Sequence, residues 1–286
     1  MNDKMKNLLV RTVSGVVMMA VFFTAIWCSH WSFRILILLI MFGCLFEFYN
    51  LCNRGGMQPQ KATGFIYSTL LFYINFYIFS QFAADGFVSA TSSGMVMPLL
   101  LYMLVMLPTI FICELWHKSE KPMANIATTL AGVIYVAVPM SLLMYIPLLL
   151  NGGVWNPVMM IGFICIVWGN DVFAYLVGCT LGRHKMAERI SPKKSWEGFV
   201  GGIAGAVLIG WLASLAVGGS AALWCGLALV TSVTGVAGDL VESMFKRSVG
   251  VKDSGRIMPG HGGFLDRFDA MLISVPFAFV YLLLML

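Results

Sequence analysis

PVMMIGFICIVWGNDVFAYLVG, residues 157–178, carries one charged side chain, Asp171, in an otherwise uncharged run. A bilayer core is crossed by about 20 residues of apolar helix, so this stretch reads as a membrane span. The same pattern recurs along the chain, with runs near 9–28, 32–50, 64–82, 95–115, 125–150, 157–178, 198–217, 221–243 and 264–286. The 286 residues are 59% hydrophobic and only 11% charged, a balance that a soluble core of this size does not have. The expected fold is therefore all-α, a polytopic integral membrane protein of about nine transmembrane helices.

The run from Val13 to Cys28 has the basic flank of a signal peptide, yet no small-residue cleavage site precedes the next run, so it reads as a retained span. The seven cysteines are scattered, mostly within hydrophobic runs and with no CxxC spacing, and read as packing residues. No soluble domain, internal repeat or low-complexity segment interrupts the pattern. The expected division is an N-terminal group of about five spans, 1–150, and a C-terminal catalytic region, 151–286, with charged loops at 181–197 and 244–263.

Charge fixes an orientation. With a cytoplasmic N-terminus, an odd number of spans puts 17 of the 18 Lys and Arg residues on the inner side and leaves only Arg34 outside. The net charge of +5 follows from this sorting, and no aromatic-plus-basic module for nucleic acid is present.

Carboxylates are costly near hydrocarbon, about 2.5–3.5 kcal/mol at a helix centre on insertion scales, so they mark partners, cavities or ions. Asp171, Asp239 and the pair Asp266 and Asp269 sit toward the inner ends of three predicted spans. Asp266 and Asp269 share a helix face, as do Asp239 and Glu242. Asp171, Tyr175, Gly178 and Gly182 form a polar, small-residue stripe. An acid alone reads as a helix anchor; several at one level beside basic loops point to a site. Glu47 and Glu114 have less company and read as ordinary helix-end residues.

Beside these acids runs KRSVGVKDSGRIMPGHGGFLDRFD, residues 246–269, where nine of the residues are Lys, Arg, Asp or His. A few carboxylates with open positions suit Mg²⁺, which binds phosphates alongside one or two protein acids. Lys246, Arg247, Lys252, Arg256 and Arg267 supply cations for a polyphosphate. The glycines of PGHGG, with Gly262 and Gly263, can turn backbone N–H groups toward an anion at the start of the last helix. His261 reads as a phosphate or ribose contact, or as a turn residue. The loop GRHKMAERISPKKSWEG repeats the theme. There Lys185, Lys193 and Lys194 are cations, Ser191 and Pro192 begin a turn, and Ser195 caps the next helix; lipid-headgroup binding is the plainer reading.

The segment SMFKRSVGVKDSGRIMPGHGGFLDRFD, Ser243 to Asp269, resembles the signature of the phosphatidate cytidylyltransferase (CDP-diacylglycerol synthase) family. NDVFAYLVGCTLGRHK and ISPKKSWEGFVGG resemble further family segments, so the likeness covers roughly Trp168 to Asp269; the N-terminal half shares only its multispan character. The resemblance implies transfer of CMP from CTP to phosphatidic acid, giving CDP-diacylglycerol and pyrophosphate, with Mg²⁺. It marks Asp239 and Asp266 as metal ligands in a centre that can include a monovalent cation such as K⁺, and Asp171, Asp253 and Asp269 as further site members. The implied partners are CTP, phosphatidic acid and the lipid bilayer, with a homodimer as the assembly to test and the bacterial inner membrane as the location.

That chemistry fits the residues. The phosphate of phosphatidic acid is already ionised, so it can attack the α-phosphorus of CTP with no general base and no covalent enzyme intermediate. Two rivals are weaker. An ion channel would spread its acids along the membrane depth, whereas these gather at one face. A CDP-alcohol phosphotransferase would carry a D-G-x-x-A-R motif, which is absent.

Overall fold

The computed structural model describes residues 3–85, 96–255, 257–258 and 262–285, with side chains from 12 to 80 in the first segment. Arg256 and His261 therefore lie outside the described residues. Among the described residues nine helical segments follow one another: α1 Asp3–Cys28, α2 His30–Arg54, α3 Lys61–Asp85, α4 Val96–Trp116, α5 Pro122–Leu149, α6 Pro157–Leu181, α7 Trp196–Val217, α8 Ala221–Ser248 and α9 Leu265–Met285. Eight of them, all but α1, are long and apolar enough over their described residues to cross a membrane; α1 contributes a shorter apolar stretch, Thr12–Cys28. The chain is an all-α polytopic membrane protein, as the hydrophobic runs indicate.

It is built as two compact units. The first comprises residues 1–144 with 248–268. Helix α2 is largely enclosed, with Phe33, Ile37, Met41, Cys44, Leu45 and Tyr49 fully buried, because its sequence is apolar on most sides. The Tyr49 ring occupies the space left by Gly64 on α3 and Gly132 on α5, where any Cβ would collide with it, and its hydroxyl donates to Thr129 O at 3.0 Å. Arg34, the lone basic residue assigned to the outer side, is only 5% exposed. Its guanidinium lies 3.9 Å from the centre of the Phe79 ring and 4.4 Å from that of Phe76, a cation–π setting that offsets burial. Glu114 ties three helix ends together: it accepts from Gln60 Nε2 at 2.6 Å and from Asn125 Nδ2 at 2.7 Å.

Within α5, residues Val133–Ala137 widen into a π-helical turn, with Val138 N–H bonding to Val133 O. Pro139 follows directly; lacking an N–H, it cannot continue the α-helical ladder, and the wider turn absorbs the break.

The second unit comprises residues 145–247 with 269–286. Helices α6 and α7 pack at close range because glycines face backbone. A Cβ on Gly198 would stand 2.8 Å from Ala174 O, and one on Gly202 would stand 2.9 Å from Asn170 O. Small residues thus permit backbone-to-backbone approach where lipid offers no hydrophobic drive. Helices α8 and α9 repeat the device, with Gly238 against the backbone of Asp269 and Ala270.

Two local expectations are corrected. The charged segment between α6 and α7 is an antiparallel hairpin, β1 Lys185–Ala187 and β2 Ser191–Ser195, paired Lys185 to Ser195 and Ala187 to Ser191. The turn falls at 188–190 and not at Ser191 and Pro192. Pro192 is tolerated because the register shifts across this part of the ribbon, leaving no ladder donor to replace. The second correction concerns the start of the last loop. Helix α8 continues through Lys246 and Arg247 to Ser248, since basic side chains in a last turn complement the helix dipole. The chain then leaves the helix near Gly250, at φ 71°.

Candidate active site

In the second unit, three carboxylates converge. One oxygen each of Asp239, Glu242 and Asp269 lies within 4.8 Å of the others. Asp239 and Glu242 share a face of α8, three residues apart, and Asp269 comes from α9, drawn close by Gly238. An oxygen-only donor set at this spacing approaches the roughly 4.2 Å separation of opposite ligands around Mg²⁺, so the residues fit that ion.

Cations are interleaved with these acids. Lys194 Nζ lies 2.6 Å from Asp239 Oδ2, and Ser243 Oγ bonds to Asp239 Oδ1 at 3.3 Å. Glu242 is fully buried and pairs with Lys246, one helical turn on, which is itself only 8% exposed. Lys246 therefore points into the protein, onto a carboxylate. Asp171, Asp239 and Lys246 are all near enough to act electrostatically on Asp269.

A cavity of about 640 Å³ opens beside this cluster, lined by Asp171, Tyr175, Lys185, Ser191, Lys193, Lys194, Ser195 and Asp239, with small residues such as Gly178 and Gly198. Seven of the residues proposed from sequence as substrate contacts thus share one wall with Asp239. The hairpin delivers the lysines and α6 delivers Asp171 and Tyr175. Ser195 is the N-cap of α7, its hydroxyl accepting from Gly198 N–H at 3.2 Å. Next to it, Glu197 accepts from the N–H groups of Arg183 and His184 and meets His184 Nδ1 at 2.6 Å, which pins the hairpin to the helix start.

The first unit holds the other half of the charged motif. Asp266, in the first turn of α9, accepts from Gly263 N–H at 2.8 Å and from Ser254 N–H at 3.1 Å. Gly262 has φ 84°, and a Cβ there would come within 2.6 Å of Asp266 Oδ2. Gly262 is thus required by the close approach of this carboxylate to the loop backbone. Lys252 and Asp253 are exposed and line a separate cavity of about 480 Å³ with Glu47, Asn50, Arg54 and Ser254. Arg247, at the end of α8 in the second unit, and Arg267, in the first turn of α9 in the first, are exposed.

Two acids stand out that the sequence reading did not place in the site. Glu242 was legible as the face partner of Asp239 and as the i,i+4 partner of Lys246. Glu47 was not: its partners, Ser254 and Leu265, are more than 200 residues away in the chain.

The chain is similar to known proteins along most of its length. The cytidylyltransferase family matches residues 9–285. A phosphatidate cytidylyltransferase of Synechocystis is 30% identical over a 306-residue alignment covering 96% of this chain and 97% of that protein. One from Rickettsia bellii is 36% identical over 192 residues, 63% of this chain and 79% of its own length. One from Staphylococcus saprophyticus is 48% identical over 113 residues, 39% of this chain and 44% of its own.

Proposed function

The chain belongs to the cytidylyltransferase family, and from that premise we propose that it is a phosphatidate cytidylyltransferase, transferring CMP from CTP to phosphatidic acid with release of pyrophosphate. The observation that carries this reading is the cavity of about 640 Å³ in which lysines from the hairpin meet Asp239 and Asp171. A phosphate oxygen of the lipid attacks the α-phosphorus of CTP, the new P–O–P bridge forms, and the bond to the β-phosphate breaks with pyrophosphate carrying away the electron pair. No proton has to be removed from the nucleophile, so no general base is required of the chain.

The work of the protein is to hold two anions together. Lys185, Lys193 and Lys194 are the cations we assign to phosphate oxygens, with Lys194 exchanging its bond to Asp239 for one to substrate. Asp239, with Glu242 and Asp269 beside it, and Asp266 in the first unit are the carboxylates we assign to cation binding. These carboxylates would hold Mg²⁺, which would supply charge neutralisation on the phosphoryl oxygens, and the resemblance adds K⁺ as a second cation. Lys252, Asp253, Arg247, Arg267 and His261 remain assigned to the motif's contacts with the polyphosphate. The 17-to-1 sorting of basic residues supports a site that opens to the cytoplasm, with the lipid entering between spans.

The test is to incubate the purified chain in lipid nanodiscs with α-labelled CTP, phosphatidic acid and Mg²⁺. Label in a lipid-soluble product, with one pyrophosphate per turnover, is expected. Absence of lipid-linked label with folded protein would reject the reading.

A further inference from the structure

Glu47 lies on α2, seven residues before the end of that helix, and is 2% exposed. A buried carboxylate is costly unless it is bonded. One oxygen of this one accepts twice: Ser254 Oγ–H at 2.8 Å and Leu265 N–H at 2.9 Å. Leu265 is the first residue of α9, and its N–H is one of the donors that a helix start leaves without an internal partner. Glu47 thus caps α9 from another helix, with its charge at the favourable end of the dipole.

The surrounding residues are shaped to admit it. Gly255 and Gly263 lie directly against its carboxylate, where any Cβ would collide. One turn earlier on α2, Gly43 leaves room for the Phe264 ring, 2.6 Å from where its Cβ would stand. Ser254 connects this carboxylate to a second one, because its backbone N–H donates to Asp266 at 3.1 Å while its hydroxyl donates to Glu47.

We infer that Glu47 is a positioning residue for Asp266, acting through Ser254 and the first turn of α9. The inference rests on the reading of Asp266 as a cation ligand. Groups that orient a ligand typically cost ten- to a hundredfold in metal affinity when removed, and Glu47 is placed to be such a group.

The experiment uses the full chain in nanodiscs, with Mn²⁺ as the probe, and compares Glu47→Gln, Ser254→Ala and Asp266→Asn with the wild type. Mn²⁺ binding is followed by electron paramagnetic resonance, and amide hydrogen exchange is followed at Ser254 and Leu265. Glu47→Gln and Ser254→Ala are each expected to weaken Mn²⁺ binding about tenfold or more. Both should speed exchange at these amides, and the double variant should be no worse than the worse single, as expected of one connected unit. Ser254→Ala keeps the N–H bond to Asp266, so it decides the matter alone should Glu47→Gln fail to fold. Wild-type Mn²⁺ affinity and exchange in Ser254→Ala, or additive losses in the double variant, would overturn the proposal. Wild-type binding in Asp266→Asn would remove its premise and overturn it together with the ligand reading. Loss of binding in Asp266→Asn with none in Ser254→Ala would overturn the positioning role alone.

Discussion

Carboxylates crowded within 4.8 Å repel one another, and the cluster of Asp239, Glu242 and Asp269 persists through nearby cations or a retained proton. Asp239→Asn and Asp266→Asn each keep the side-chain volume and remove one charge. Each is expected to abolish measurable turnover in the nanodisc assay while the melting temperature stays near that of the wild type. Lys194→Met removes the cation that reaches Asp239 at 2.6 Å. If Lys194 moves to a substrate phosphate, kcat/KM for CTP should fall about ten- to a hundredfold, the worth of one charged hydrogen bond. The buried pair Glu242 and Lys246 gives a different forecast. Glu242→Leu alone removes the nearest counter-charge of a buried ammonium and should destabilise the protein by about 3–5 kcal/mol, whereas the double change with Lys246→Met should recover most of that loss. Thermal unfolding in detergent separates the two outcomes.

At the scale of elements, glycine decides which helices meet. On α7, Gly202 faces Asn170, with a Cβ position 2.7 Å from its Oδ1 and 2.9 Å from its carbonyl oxygen. Gly202→Val is therefore expected to push α6 and α7 apart at a cost of about 1–3 kcal/mol, read as a lowered unfolding temperature. Because Asp171 and Tyr175 line the cavity from α6 and the lysines reach it from the hairpin ahead of α7, the same change should also raise the KM for CTP. The hairpin is an element that hydropathy does not announce. Its strands are short and its residues polar, so a reading by composition yields only a charged loop with its turn misplaced by a few residues.

For the whole molecule, the order of spans makes a prediction about sidedness. In a background without the seven native cysteines, Asn151→Cys should react with a membrane-impermeant maleimide added to intact cells. Lys118→Cys should react only after permeabilisation, because the two positions flank one span, α5. Labelling of both from one side would refute the alternation of loops and with it the proposal that the site opens to the cytoplasm.

Hydropathy alone determined the nine helical segments among the described residues to within a few residues at most ends, because crossing a bilayer is a condition on consecutive residues and so is written locally. The stripe Asp171, Tyr175, Gly178 and the run Ser191 to Ser195 were likewise legible as polar residues with no apolar role. Which carboxylate meets which partner was decided only by packing. Lys246 reads as a free cation in a loop, yet a longer α8 turns it inward onto Glu242. Glu47 reads as a lone helix-end acid, yet its hydrogen-bonding partner Ser254 stands 207 residues away. The glycines that let such groups approach are spaced in the chain without any period that pairs them; only the close approach of separate helices gives each one its counterpart.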